Sequence, residues 1–192
     1  KQQRSRVLGL LRETASPGAL PTAEHDRHPS GLVRWPKRFA GHRQARQWAA
    51  EVLSGCLTVA VDGSQLSLAD DIDPPVAAAQ VGWFVNPHDP SCPHHKDTRM
   101  EILVECPGTE GGPAERVDVR RFEMETERLL ELMEERSGRH PAPVCFLDDP
   151  LIIPFAAERG TGRPEAYIRG ISTLLEASEY LRVPLVGYTA DP

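Results

Sequence analysis

Leu57-Thr58-Val59-Ala60-Val61-Asp62-Gly63-Ser64-Gln65 is an apolar, β-branched run that stops at a carboxylate and passes into turn formers. Pro143-Val144-Cys145-Phe146-Leu147-Asp148-Asp149-Pro150-Leu151 repeats the design. Each reads as a buried strand with an aspartate at its tip. A buried or half-buried Asp costs several kcal/mol unless a cation or hydrogen bonds compensate it. Two such strands in one small chain point to a divalent-cation site.

Between them the sequence changes period. Val76 to Val85 is β-rich and holds Trp83 and Phe84. Arg99 to Cys106 alternates Met100, Ile102 and Val104 against Arg99, Glu101, Leu103 and Glu105, the mark of a half-exposed strand. Asp/Pro and His/Pro/Cys loops separate the three strands, as in an antiparallel meander. Val117 to Arg136 then reads as a charged helix, with Phe122, Thr126, Leu129 or Leu130, and Met133 as its buried stripe.

After the strand at Val144 to Leu147 come a short helix or turn at Ile152 to Arg159 and a long helix at Arg163 to Leu181. The long helix turns Ile168, Ile171, Leu174, Leu175, Ala177, Ser178 and Leu181 inward, and Val183 to Thr189 is a last strand. Upstream, Gln3 to Glu13 reads as a short helix and Ala15 to Arg38 as an irregular linker. Gly41 to Leu53 is a helix with Ala45, Trp48, Ala49 and Val52 at helical spacing.

The order β-β-β-α-β-α-β predicts a mixed five-stranded α/β sheet. Its first and fourth strands are parallel neighbours, joined by a right-handed crossover. This is the connectivity of the ribonuclease H-like fold. It sets Asp62 and Asp148 side by side, with the crossover helix near enough to add a third carboxylate. Hard cations such as Mg²⁺ or Mn²⁺ would relieve the repulsion among three carboxylates. Two such ions roughly 3.5–4 Å apart suit in-line phosphodiester hydrolysis. A phosphatase with an Asp nucleophile is disfavoured, because Asp62-Gly63-Ser64 lacks a second Asp two residues on.

The 192 residues have room for one domain and an extension, and no apolar run approaches the roughly 18 residues needed to span a membrane. The net charge of −6 is unevenly spread. Residues 1–46 hold ten Lys/Arg against three Asp/Glu, a balance of +7; the remaining twelve and twenty-five give −13. A basic extension at 1–40 is therefore expected on an acidic domain at 41–192, with Arg34, Lys37, Arg38, Arg43 and Arg46, and Arg120 and Arg121, as candidate phosphate contacts. Asp70, Asp71 and Asp73 read as a solvated loop. Four scattered cysteines without C-x-x-C spacing suit a reduced, cytoplasmic location. Cys92-Pro93-His94-His95 lacks a second ligand pair at zinc spacing. A chain opening on Lys1 and closing on Pro192 reads as incomplete.

Ala60-Val61-Asp62-Gly63-Ser64-Gln65 resembles the first motif of NurA-type nucleases, and Phe146-Leu147-Asp148-Asp149-Pro150-Leu151 the second, where the family usually has Asp-Gly-Ser/Thr-Leu. Val119 to Glu127 is similar to the helix before that motif. Ser178 to Tyr188 is similar to the bacterial branch near its penultimate strand. The resemblance runs from about residue 40 to the C-terminus. It implies a Mn²⁺- or Mg²⁺-dependent nuclease for double-strand-break repair, acting as an exonuclease on DNA ends and an endonuclease on single strands. It further implies a homodimer beneath a HerA-type hexameric ATPase. On this reading Asp62, Glu125 and Asp148 are the catalytic metal ligands, with Glu123 and Glu127 as alternatives to Glu125. Two departures stand out. Asp149-Pro150 replaces Gly-Ser/Thr, and family members continue into a further helix with late active-site groups. Asp191 is a further candidate ligand, and Tyr188 a candidate for stacking on a base. The competing reading is a ribonuclease H-like DNA-binding or scaffold domain that has lost catalysis.

Overall fold

The computed structural model describes Arg27 and residues 36–69, 76–104, 113–151 and 163–188. The helices expected at Gln3–Glu13 and Ile152–Arg159 lie outside the described residues, as do Arg34, Asp70, Asp71, Asp73, Cys106 and Asp191. The chain divides into two compact units, Lys1–Ala45 and Arg46–Pro192.

The elements are α1 (His42–Leu53), β1 (Thr58–Ala69), β2 (Val76–Asn86), β3 (His95–Val104), α2 (Pro113–Arg136), β4 (Val144–Leu147), α3 (Arg163–Leu181) and β5 (Leu185–Gly187). The sheet order is β3-β2-β1-β4-β5. β1–β2 and β2–β3 pair antiparallel, whereas β1–β4 and β4–β5 pair parallel. The three-stranded meander followed by two crossover strands is the expected ribonuclease H-like arrangement. β1 sits at its centre because its apolar residues find partners on both edges: Val59 pairs with Val85 and with Cys145.

One sheet face carries the core. Val59, Val61, Ala79, Val81, Val85, Cys145 and Leu147 are buried, and α2 lays Phe122, Leu129, Leu132 and Met133 among the same cluster. From α3 come Tyr167, Ile171 and Leu174. The Phe122 and Tyr167 rings stack at 3.9 Å between centroids. Fully burying each large apolar side chain contributes roughly 1.5–3 kcal/mol, so this layer holds the helices to the sheet. The end of α3 is tied to the approach to β5, where Ser178 Oγ donates to Val183 O at 2.7 Å and Val183 N donates to Ser178 O at 3.1 Å.

Three details depart from the sequence expectation. On β3 the apolar alternates Met100, Ile102 and Val104 face solvent, while Arg99, Glu101 and Leu103 lie on the side of α2. The reason is the polar flank of α2: Arg120 donates to Glu101 at 2.8 Å, and Arg99 pairs with Glu131 at 3.2 Å. On α3, Ile168 and Leu175 are exposed, and Ala166 and Tyr167 take the inward places toward α2. On α1 no residue is fully buried, and Val52 is exposed.

Candidate carboxylate site

Alternation along β1 decides where its functional groups point. Val59 and Val61 are buried toward α2, so Ala60, Asp62 and Ser64 fall on the opposite, open face and are exposed. On β4, Cys145 and Leu147 are buried toward α2, and Asp148 follows as an exposed residue. Val61 pairs with Leu147 in parallel register. Asp62 and Asp148 therefore each follow the last β1–β4 pair by one residue, both outside the core. Asp148 lies just past β4, but Asp62 is not at a strand tip as the sequence suggested, because β1 runs on to Ala69 and keeps its pairing with β2, Asp62 facing Gly82.

Gly63 turns the other way, toward α2. A Cβ there would collide with Glu125 Oε1 and lie 2.8 Å from Arg121 Cγ. The absence of a side chain lets the α2 carboxylate press against the β1 backbone directly beside Asp62. Gly187 plays the same part on β5, since a Cβ there would stand 2.6 Å from Leu151 Cγ and 2.9 Å from Asp149 O. Tyr188 N also donates to Leu147 O at 3.0 Å. The turn that carries Asp148 and Asp149 is thus seated on β5.

Glu125 is 3% exposed. Burial pushes its carboxyl up to about 7; the Arg121 guanidinium opposes this, and the Asp149 and Asp62 charges reinforce it. Asp149 is raised as well, first by burial, with Arg121 opposing and Asp148, Asp118 and Asp62 adding to the rise. The Asp62 charge thus acts on both Glu125 and Asp149.

Arg121 is the local counter-ion. It donates from Nη1 to Glu125 Oε1, from Nη2 to Asp118 Oδ1 at 3.2 Å and from Nε to Gln65 Oε1 at 3.2 Å. Burial works against its charge, but Glu125 and Asp118 hold its pKa above the usual arginine value. The Tyr167 hydroxyl donates to Asp118 Oδ2 at 3.3 Å and closes the network.

The alternative helix carboxylates point elsewhere. Glu123 and Glu127 both accept from Arg120, which also binds Glu101. The structure thus binds Arg120 and Arg121, candidates for phosphate contact, into ion pairs with the protein's own carboxylates. His94, from the loop with Cys92, leans its ring on Phe84 at 5.0 Å between centroids. Tyr188 is exposed at the end of β5. Arg121 as counter-ion and Gly63 as the contact point were not singled out from the sequence, whereas Asp149 as an added carboxylate followed from the Asp149-Pro150 departure. The i,i+4 spacing of Arg121 and Glu125 was the available signal.

Among the described residues, no three His, Cys, Asp or Glu side chains stand close enough to hold an ion as they are placed. The donor types nevertheless suit a hard cation: they are carboxylates only, and the most buried of them is pushed toward neutrality by burial despite Arg121 beside it. Mg²⁺ is commonly held by one or two carboxylates plus waters and substrate phosphates, so a closed protein cage is not required.

A mixed sheet with Asp62 within its central strand, Asp148 just past the parallel neighbour and a helix glutamate against the central strand defines an α/β protein of the ribonuclease H-like class with carboxylates near the β1–β4 junction. The NurA domain model matches residues 56–191, and the chain belongs to the NurA family. The NurA nuclease from Sulfolobus solfataricus has a similar fold, with a TM-score of 0.50 at 11% identity, over 100% of this chain and 57% of that one. The chain thus spans 57% of the length of that relative. LC11-RNase H1 in complex with RNA/DNA hybrid matches at a TM-score of 0.33 and 11% identity, over 69% of this chain and 83% of that one. LC9-RNase H1 matches at 0.33 and 13%, over 71% and 64%. No curated protein sequence matches the chain.

Proposed function

We propose that this chain is the nuclease domain of a divalent-metal-dependent enzyme that hydrolyses DNA phosphodiesters. Its action would be exonucleolytic at duplex ends and endonucleolytic on single strands, in double-strand-break repair. One observation carries the reading: in a NurA-family chain, Asp62 and Asp148 each follow the last paired residues of β1 and β4, and Glu125 is pressed against Gly63, the residue after Asp62.

Asp62, Asp148 and Glu125 are the residues that would hold Mn²⁺ or Mg²⁺, with Asp149 as a neighbouring carboxylate. When bound, the metal supplies Lewis acidity and an activated water to the phosphodiester. The protein's own groups do the rest. The β1–β4 pairing would set Asp62 on the central strand beside the turn that carries Asp148. Gly63 admits Glu125, and α2 holds it there through the core beneath Phe122 and Leu129. Arg121 balances the carboxylates and keeps Glu125 oriented. The HerA-type hexameric ATPase as partner and the homodimer belong to this same proposal and rest on family membership.

The test is shortening of linear DNA by the protein in Mn²⁺. Asp62→Ala should reduce the rate by at least a hundredfold, and EDTA should abolish it. Equal cleavage in EDTA or in the variant would refute the assignment. Metal-dependent DNA binding without any cleavage would favour the scaffold reading.

A further inference from the structure

The open face beside Asp62 is shaped. A trough of about 660 Å³ runs across β1, β2 and β3, with Ala60, Asp62, Gly82, Phe84, Lys96 and Thr98 among the residues along it. The strand register sets its layout: Asp62 faces Gly82, which faces Thr98; Ala60 faces Phe84, which faces Lys96. The floor is low at Ala60 and Gly82. Phe84 rises from it 38% exposed, with His94 against one side of its ring. The row holding Phe84 and Lys96 lies two residues along the strand from Asp62, about 7 Å.

We propose that this trough docks single-stranded DNA, with Phe84 as the stacking platform for one base and Lys96 as the contact for a backbone phosphate. The inference rests on the nuclease reading of Asp62 and adds to it the surface that brings a strand to the carboxylates. An aromatic ring left partly in water beside the low positions Ala60 and Gly82 is what a base face can cover, and such stacking is tolerant of sequence. A cation on the adjacent strand is needed there, because the carboxylates repel the phosphates the site must receive. The core-side arginines Arg120 and Arg121 are already taken by protein carboxylates, and among the described residues lining the trough Lys96 is the basic side chain, with Asp62 and Asp97 beside it.

The test is fluorescence anisotropy with a labelled oligo-dT and the same strand made abasic, in EDTA so that no cleavage occurs. Phe84→Ala should weaken oligo-dT binding roughly 5- to 150-fold, the range of base–aromatic stacking, and leave the abasic strand unchanged. Phe84→Trp should bind oligo-dT within about threefold of wild type, which separates stacking from loss of fold. Lys96→Ala should weaken both strands alike and reduce the salt slope. Wild-type oligo-dT binding by Phe84→Ala, or an equal loss on the abasic strand, would overturn the docking role. Mn²⁺-dependent cleavage is read on the same proteins. Cleavage that survives Asp62→Ala overturns the nuclease reading, whereas absent base coupling with Asp62-dependent cleavage intact overturns the docking alone.

Discussion

Glu125 concentrates the tension of the site in one residue. Its carboxyl is buried against Gly63, feels the charges of Asp149 and Asp62, and has Arg121 as counter-ion, yet burial still prevails and holds it up at about 7. The consequence for stability has a definite sign. The unfolded carboxyl ionises around 4.5, and the folded one only near 7. Across that window the unfolded state loses a proton that the folded state keeps, so stability present below 4.5 falls as pH rises toward 7. The full shift corresponds to about 3 kcal/mol. Glu125→Gln removes the titration. Its melting temperature relative to wild type should therefore climb between pH 5 and pH 8 in EDTA, followed by circular dichroism. A difference that stays flat with pH would mean that Arg121 already neutralises the carboxylate fully.

At the scale of elements, α2 is a helix with two different contact surfaces. Leu129 is fully buried against the sheet, whereas Leu130 is half-buried beside α3. Leu129→Ala should cost about 2–5 kcal/mol by urea denaturation and Leu130→Ala clearly less. Equal losses would indicate that the helix is rotated. The sequence left those two leucines open because both fit a 3.6-residue stripe, and only the sheet beneath decides between them. Strand content was legible for the opposite reason: runs such as Leu57–Val61 and Val144–Leu147 have no other compact use. β3 defeats a rule based on polarity, since its inner face meets charged α2 side chains and its apolar alternates meet water. The Asp62–Asp148 adjacency followed from strand order alone. The Arg121–Glu125–Gly63 contact did not, because it depends on a helix and a strand far apart in sequence meeting at a residue without a side chain.

At the scale of the whole molecule, the region after the first 46 residues carries twenty-five acidic against twelve basic side chains. Part of this excess lies around the β1–β4 junction, where Asp62, Glu125, Asp148 and Asp149 are found with Arg121 paired to Glu125. An acidic body of this kind gains from any dication that binds the folded arrangement and not the unfolded chain, where the four carboxylates scatter. Linkage sets the scale: at a hundred times the dissociation constant, a bound ion adds about 2.7 kcal/mol. For a chain of this size that corresponds to a rise in melting temperature of roughly 5–10 °C. Mn²⁺ should produce such a rise in the wild-type protein, and EDTA should reverse it. Asp62→Ala, and Asp148→Ala separately, should remove most of it, while exposed Glu179→Ala, on the far part of α3, should not. A shift that persists in both aspartate variants would place the ion elsewhere on the acidic surface and detach metal binding from the two aspartates. A shift lost only in Asp62→Ala would move the second ligand from Asp148 to Asp149, the carboxylate whose charge acts on Glu125.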